Sequence, residues 1–440
     1  MIDIMEQIVI IADDLTGAAD TGVQFCPFFD ETVLISYHRL PDMLDTAADA
    51  VSRAMLIYTN SRALEADSAR ERLRSVAGSF SRAKPKWLYK KVDSCLRGNL
   101  GAEIEAVMDT LGFEVSFIAP AFPEMGRTTV NDIHRVYGIP VGQTEIARDP
   151  VTPVSESRLS SLVAQQSRYP VGHVALDFLE GAETRLQAEI ERQAGLGTRH
   201  IAFDITSRDH LDKIARLFFS SSRKILPVGS AGLAARLGRM LPAKPGSKEY
   251  EHKGRPSKRG NHLLVCGTAS RITDQQIKAL IETYPYEVIV LEADILGDQN
   301  QRDFLLKKAS FIQASLTSKN VIVRIGHPSE DYDTADQFGR LSVAESVVEG
   351  LGFFVAAVLK KTIPGFLFAT GGDTADAVLT ASGAQGIRIY GEIVTGMVQG
   401  TIFGGPLDGL PAITKAGAFG KEDALVVLHE TWQKGEQYGE

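Results

Sequence analysis

Two neighbouring carboxylates, Asp13 and Asp14, follow an apolar run and precede Thr16-Gly17. A carboxylate pair where a strand meets a helix can take the proton of a substrate hydroxyl or help hold a cation. The plainer alternative is that one of the two caps the helix that starts near Thr16. A second cluster, Tyr58-Thr59-Asn60-Ser61-Arg62, offers a planar guanidinium suited to a carboxylate, or else a surface Arg beside a capping Ser61. The third, Lys90 to Asn99 (KKVDSCLRGN), packs Lys, Asp, Ser and Arg into one strand-to-helix loop, as binding of a polar anion would require. Alternation along a strand at 87–91 puts Lys90 and Lys91 on opposite faces, so at most one is expected to reach a shared pocket. Cys95 has no His near it in sequence and reads as a buried filler. The loop 120–129, with Asn131 and His134 after it, reads as irregular, its His structural.

Glycine turns dominate the C-terminal half: Cys266-Gly267-Thr268-Ala269-Ser270-Arg271, Thr370-Gly371-Gly372-Asp373-Thr374, and Lys415-Ala416-Gly417-Ala418-Phe419-Gly420. Glycines before a helix N-terminus expose backbone N–H groups and the positive end of the helix, a nest for phosphate. Each alone could be an ordinary turn. Three of them converge on a phosphorylated ligand. Val228-Gly229-Ser230-Ala231-Gly232 is a weaker member of the set, explained equally well by helix packing.

These clusters need strand ends to carry them. Apolar β-branched runs at 7–12, 32–37, 54–59, 87–91, 115–119, 173–177, 200–204 and 224–228 alternate with helical patterns at 64–80, 102–111, 156–166, 182–194 and 209–218. After 241–261, rich in Pro, Gly and Lys, strands resume at 262–266, 287–291, 320–325, 365–369 and 412–415, with helices at 271–282, 303–314, 336–359, 374–381 and 421–433. The expected fold is α/β: two α/β domains with mostly parallel sheets, 1–240 and 262–440, joined by a linker at 241–261.

Length and composition narrow the function. The 440 residues hold 44% hydrophobic and 23% charged residues, the balance of a globular chain. Lys plus Arg is 47 against 55 Asp plus Glu, a net −8 that argues against nucleic acid as the main partner. No stretch approaches the roughly 20 apolar residues of a membrane span, the N-terminus lacks a signal-peptide pattern, and the three cysteines are odd in number and far apart. A soluble cytoplasmic protein is expected. Walker A, G-x-G-x-x-G, H-E-x-x-H and G-x-S-x-G signatures are absent, which argues against a P-loop ATPase, a zincin and an α/β-hydrolase.

Taken in order, ADDLTGAADTGVQF, YTNSR, KKVDSCLRGN, PAFPEMGRTT, DPVTPV, VGSAGLA, CGTASR, ATGGDTADAVL and TKAGAFGKEDAL resemble the four-carbon acid sugar kinases across nearly the whole chain. The resemblance implies an N-terminal sugar-acid-binding domain and a C-terminal nucleotide-binding domain, with the active site in the interdomain cleft. It implies transfer of the ATP γ-phosphoryl group to the terminal hydroxyl of D-threonate first, with D-erythronate or 3-oxo-tetronate as alternatives. The acid sugar is expected on Asp13 or Asp14, Arg62, Lys91, Val92, Asp93 and Ser94, with Asp13 or Asp93 as the base and Arg62 and Lys91 on the substrate carboxylate. ATP is expected on Ser270, Gly371, Gly372, Asp373, Thr374, Lys415, Gly417, Ala418, Phe419 and Gly420, with Mg²⁺ neutralising the triphosphate and no metal ligands assigned. Closure about the linker would exclude water. Two departures touch the nucleotide pocket: a bulky stretch at 395–404 (TGMVQGTIFG), and Ala418 where Gly is common. A non-catalytic sugar-acid sensor and a dehydrogenase or isomerase with two Rossmann-like halves are the rival classes. A homodimer is the expected assembly from base rates.

Overall fold

The computed structural model of the chain describes residues 7–46, 52–81, 85–149, 151–241, 260–268, 270–326, 337–417 and 419–433. The expected linker 241–261 lies outside them apart from Leu241, Gly260 and Asn261, and so does Ala418. Contacts divide the chain into two units, Met1–Thr32 with Tyr37–Ser247, and Val33–Ser36 with Lys248–Glu440.

The strands of the N-terminal half are β1 (Gln7–Ala12), β2 (Glu31–Ser36), β3 (Arg53–Tyr58), β4 (Trp87–Lys91), β5 (Val115–Ala119), β6 (Arg127–Val130), β7 (Ile133–Val136), β8 (Ile139–Pro140), β9 (Val171–Val174), β10 (His200–Phe203) and β11 (Ile225–Gly229). The first unit carries a parallel sheet in the order β3-β1-β4-β11-β5-β10-β9. Its central strands are mostly apolar, as burial on both faces requires; all five residues of β5 are buried. The helix Arg208–Ser220 shows how such a cover forms. Ser207 caps it by accepting the His210 N–H, and Leu211, Ile214, Ala215 and Leu217 fall on its buried face.

In the C-terminal half the strands are β12 (His262–Cys266), β13 (Tyr286–Leu291), β14 (Asn320–Ile325), β15 (Phe366–Thr370), β16 (Gly386–Val394), β17 (Met397–Phe403) and β18 (Pro411–Lys415). The second unit orders them β13-β14-β12-β15-β18-β17-β16, parallel up to β18 and antiparallel from there. Val33–Ser36 of β2 belongs to this unit, where Val33, Leu34 and Ile35 pair antiparallel with β16. Leu264, Phe366, Phe368, Ile413 and Leu425 build its core.

Three elements differ from the sequence reading. The loop after β5 is ordered as an antiparallel sheet, β6-β7-β8, instead of an irregular connector. Asn131 and Asp132 turn it with φ of 53° and 64°, and the Asp204 carboxylate accepts their N–H groups at 2.9 and 2.8 Å. The stretch 395–404 is a hairpin strand with its turn at Gly396. The run expected as a strand at 173–177 ends at Val174, and the short helix Leu176–Glu180 follows. No helix among the described residues is long and apolar enough to cross a membrane.

Candidate active site

In open α/β sheets ligands lie beyond the carboxyl ends of the strands, where the strand order reverses. β1 is such a point: the chain goes from it to β3 on one side and then to β4 on the other. Asp13 and Asp14 leave β1 there, Arg62 leaves β3, and Lys91 to Ser94 leave β4, so a parallel register brings residues far apart in sequence to one edge.

The two aspartates separate cleanly. Asp14 is the N-cap of the helix Leu15–Val23: Oδ1 accepts Gly17 N–H at 3.0 Å and Oδ2 the Thr16 hydroxyl at 2.7 Å. Asp13 is buried, its Oδ2 bonded to Arg62 Nε at 2.6 Å, while Oδ1 has no hydrogen-bond partner among the described residues. Burial would raise the Asp13 carboxyl, but Arg62, with Lys91 and Lys90 behind it, holds it below the ordinary carboxylate range. Arg62 also reaches Asp14 at 2.7 Å and Asp93 at 4.0 Å. Burial acts to lower its pKa, yet these three carboxylates keep it well above the usual arginine value.

Asp93 is differently employed. Its Oδ2 accepts Arg97 Nε at 2.8 Å and the N–H groups of Cys95 and Arg97, and its Oδ1 accepts Arg97 Nη2 at 3.2 Å. Burial opposes ionisation, but Arg97 and Arg62 hold this carboxyl far below the normal range. It anchors its own loop. Arg97 also reaches Asp149 at 3.3 Å. Val92 is buried and donates its N–H to Gly229 O at 2.9 Å, a backbone role. Ser94 O accepts from His134 Nε2 at 2.8 Å, and burial pushes that imidazole down to about 4, so His134 is the structural histidine expected. Lys91 is 4% exposed and its ammonium bonds no described residue; a Cβ on Gly17 would lie 2.7 Å from its Nζ. Lys90 points elsewhere, to Glu103 at 2.8 Å, as the opposite-face argument requires.

The second unit repeats the logic at β12, flanked by β14 and β15. Cys266 pairs with Thr370 and Thr370 with Lys415, so the three glycine turns emerge side by side. They touch: a Cβ on Gly267 would collide with Thr374 Oγ1, one on Gly417 with Thr268 Oγ1, and one on Gly371 would stand 3.1 Å from Thr374 Oγ1. Gly371 has φ of 101° and caps the helix Gly372–Ala381, a conformation that suits glycine alone. Asp373 is exposed in the first turn of that helix. Ser270 caps Arg271–Thr283 through its backbone, its N–H bonded to Thr268 Oγ1 at 3.3 Å.

The turn after β18 is tied from within. Lys415, buried, donates to the carbonyls of Ala416, Gly417 and Phe419 at 3.0, 3.2 and 3.1 Å, and burial lowers its pKa to about 8. Thr273 Oγ1 donates to Gly417 O at 3.0 Å, and Gln276 Nε2 to Phe419 O and Lys421 O at 3.1 and 2.8 Å. Gly420 completes the turn with φ of 89°. A Cβ on Gly396 would stand 2.7 Å from the Phe419 ring, so the stretch 395–404 meets the turn at its hairpin end. Gly267 and Thr268 belong to the glycine turn expected at 266–271, whereas Thr273 and Gln276 were not singled out from the sequence. Gly267-Thr268 was visible as a glycine directly after an apolar strand; the amide of Gln276 carried no such signal.

Residues 8–237 match the family model of a sugar-binding N-terminal domain, and 263–425 that of a nucleotide-binding C-terminal domain. Two such α/β units define a two-domain carbohydrate kinase. The chain is 32% identical to the D-threonate kinase of Salmonella typhimurium, covering 97% of this chain and 99% of that one. It is 30% identical to the D-erythronate kinase of Heliobacterium modesticaldum, covering 96% and 95%. It therefore belongs to the four-carbon acid sugar kinase family. A solved structure from Salmonella typhimurium LT2 shares the fold, with a TM-score of 0.77 at 19% identity, covering 96% of this chain and 99% of that one. A Haemophilus influenzae protein does too, with a TM-score of 0.70 at 21% identity, covering 96% and 100%.

Proposed function

We propose that this chain transfers the γ-phosphoryl group of ATP to the terminal hydroxyl of a four-carbon acid sugar, D-threonate before D-erythronate or 3-oxo-tetronate. The observation that carries the chemistry is Asp13 Oδ1, a buried carboxylate oxygen with no hydrogen-bond partner among the described residues, in a cluster whose charge includes the buried Lys91. A buried unsatisfied oxygen is costly unless a ligand completes it. Asp13 Oδ1 orients the substrate hydroxyl and takes its proton as the O–P bond forms and the γ-phosphoryl leaves ADP. Asp93, both oxygens engaged by Arg97, is the weaker candidate for that step. Lys91 receives the substrate carboxylate, with the Arg62 guanidinium beside the aspartates as its second cation.

The nucleotide belongs on the glycine turns of the second unit. Gly371, Gly372 and Thr374 present the helix N-terminus, Gly267 and Gly417 let their turns pack against the hydroxyls of Thr374 and Thr268, and Lys415 fixes the turn through Gly420. Among the described residues no group of three His, Cys, Asp or Glu side chains could hold a metal ion. Mg²⁺ bound with a nucleotide needs no such cage, since phosphates, water and one or two carboxylates suffice. Asp373, exposed beside the turns, suits that role, and the ion would neutralise triphosphate charge. The three cysteines, all free and buried, fit a reducing cytoplasm. A coupled ADP-release screen over D-threonate, D-erythronate, L-threonate and 3-oxo-tetronate tests the reading. ADP release with D-threonate preferred is expected, and no release with any of the four refutes it.

A further inference from the structure

Beneath the aspartate cluster lies a pair of charges that the chemistry above leaves unused. Lys90 is 0% exposed, and Glu103, on the helix Leu100–Leu111, is 2% exposed. Lys90 Nζ stands 2.8 Å from Glu103 Oε2 and donates to Lys91 O at 2.7 Å. Glu103 Oε1 accepts the Ser61 hydroxyl at 2.7 Å. Ser61 Oγ meets Thr59 Oγ1 at 2.7 Å, and Thr59 Oγ1 reaches Ala12 O at 2.9 Å. Ser61 N–H donates to Asp13 O at 3.1 Å. One connected network thus touches the ends of β1, β3 and β4, each time within one residue of Asp13, Arg62 or Lys91.

Such a pair is a poor way to gain stability. Desolvating two charges costs about as much as their attraction returns, and apolar replacements of similar volume are often as stable or more so. Hydrogen bonds supply what an apolar contact lacks, which is direction. Each Glu103 oxygen has one assigned partner, and the Lys90 ammonium has two acceptors, so the three strand ends cannot slide past one another without breaking a bond.

We infer that Lys90, Glu103 and Ser61 are positioning residues that hold the Asp13, Arg62 and Lys91 side chains in register for phosphoryl transfer. The inference rests on the kinase reading of that cluster. Steady-state kinetics and thermal midpoints of the full chain test it with Ser61→Ala, Glu103→Gln and the double variant Lys90→Met/Glu103→Leu. Ser61→Ala removes the hydroxyl that joins Glu103 to Thr59 and leaves the Lys90–Glu103 pair itself intact. It should lower kcat on D-threonate about 10- to 100-fold, the scale of a displacement near 1 Å, and leave the KM for ATP within about twofold. Glu103→Gln leaves Lys90 without its counter-charge and should lower both kcat and the midpoint. The double variant should melt at or above the wild-type temperature and still lose kcat by about 10-fold or more. A double variant that folds and keeps wild-type kcat would overturn the inference, as would a Ser61→Ala protein with unchanged kcat. If the double variant fails to fold, Ser61→Ala decides alone. Wild-type protein without turnover on any acid sugar would remove the kinase reading and this inference together.

Discussion

Asp13→Asn separates the chemistry of the cluster from its architecture. Asn has nearly the same volume and keeps an oxygen for Arg62 Nε, which stands 2.6 Å from Asp13 Oδ2. Arg62 retains Asp14 at 2.7 Å and Asp93 at 4.0 Å, so it is not left as an unpaired buried charge. Truncating a buried pair costs about 3–5 kcal/mol when the partner is stranded; here two carboxylates remain and one desolvation cost disappears, so a loss of about 1–2 kcal/mol is expected. Activity should suffer far more. Removing a positioned general base costs about 10²- to 10⁴-fold, or about 3–5 kcal/mol of barrier at 1.36 kcal/mol per decade. The glycine turns share no residue with this cluster, so ATP affinity should stay within about twofold. Coupled ADP release would read kcat, calorimetry would read ATP binding, and a denaturant titration would read stability. A folded Asp13→Asn protein with kcat within about threefold of wild type would refute the assignment of Oδ1 as proton acceptor.

Other perturbations probe the remaining parts. Lys91→Met removes a buried ammonium of the cluster and should raise the KM for the acid sugar about 10- to 100-fold, with the KM for ATP unchanged, in the same ADP assay. Gly267→Ala drives a Cβ into Thr374 Oγ1 and should weaken ATP about tenfold or more by calorimetry, with acid-sugar affinity intact. Lys415, with its pKa lowered to about 8 by burial, releases its proton in the native state before the unfolded chain does. Between about pH 8 and 10.5 the unfolded state therefore binds more protons, and stability rises with pH. From pH 7.5 to 9.5, denaturant titrations should show wild type gaining about 2 kcal/mol relative to Lys415→Met; a parallel response of the two proteins would contradict it.

Much of the scaffold was legible before any coordinates. β4, β5, β12 and β14 span the positions expected for them, because strands buried on both faces are built around short apolar runs. β16 and β17 were missed, since Gly391, Gly396 and Gly400 interrupt their alternation and a bulge shifts the register at Ile389/Gly391. The small β6-β7 hairpin carried a signal that went unread: Asn131-Asp132 is a left-handed turn pair, and such pairs join antiparallel strands.

The amino-acid order alone determined which residue types stand at each strand end, since an apolar strand must stop where polar backbone and charge begin. It placed aspartates after β1, cations after β3 and β4, and glycines after β12, β15 and β18. Tertiary structure alone decided their roles. Asp13 and Asp14 are adjacent and chemically identical, and only the start of the following helix makes one a cap and leaves the other with an unbonded oxygen. Lys90 and Lys91 differ only in the face they take, and Glu103, which reads as an ordinary helix carboxylate, becomes a partner to Lys90 through packing across 13 positions of chain. Val33–Ser36 joins the second unit because its edge pairs with β16, a strand more than 300 residues downstream. Pairings of this kind depend on distances in space that local propensity does not encode.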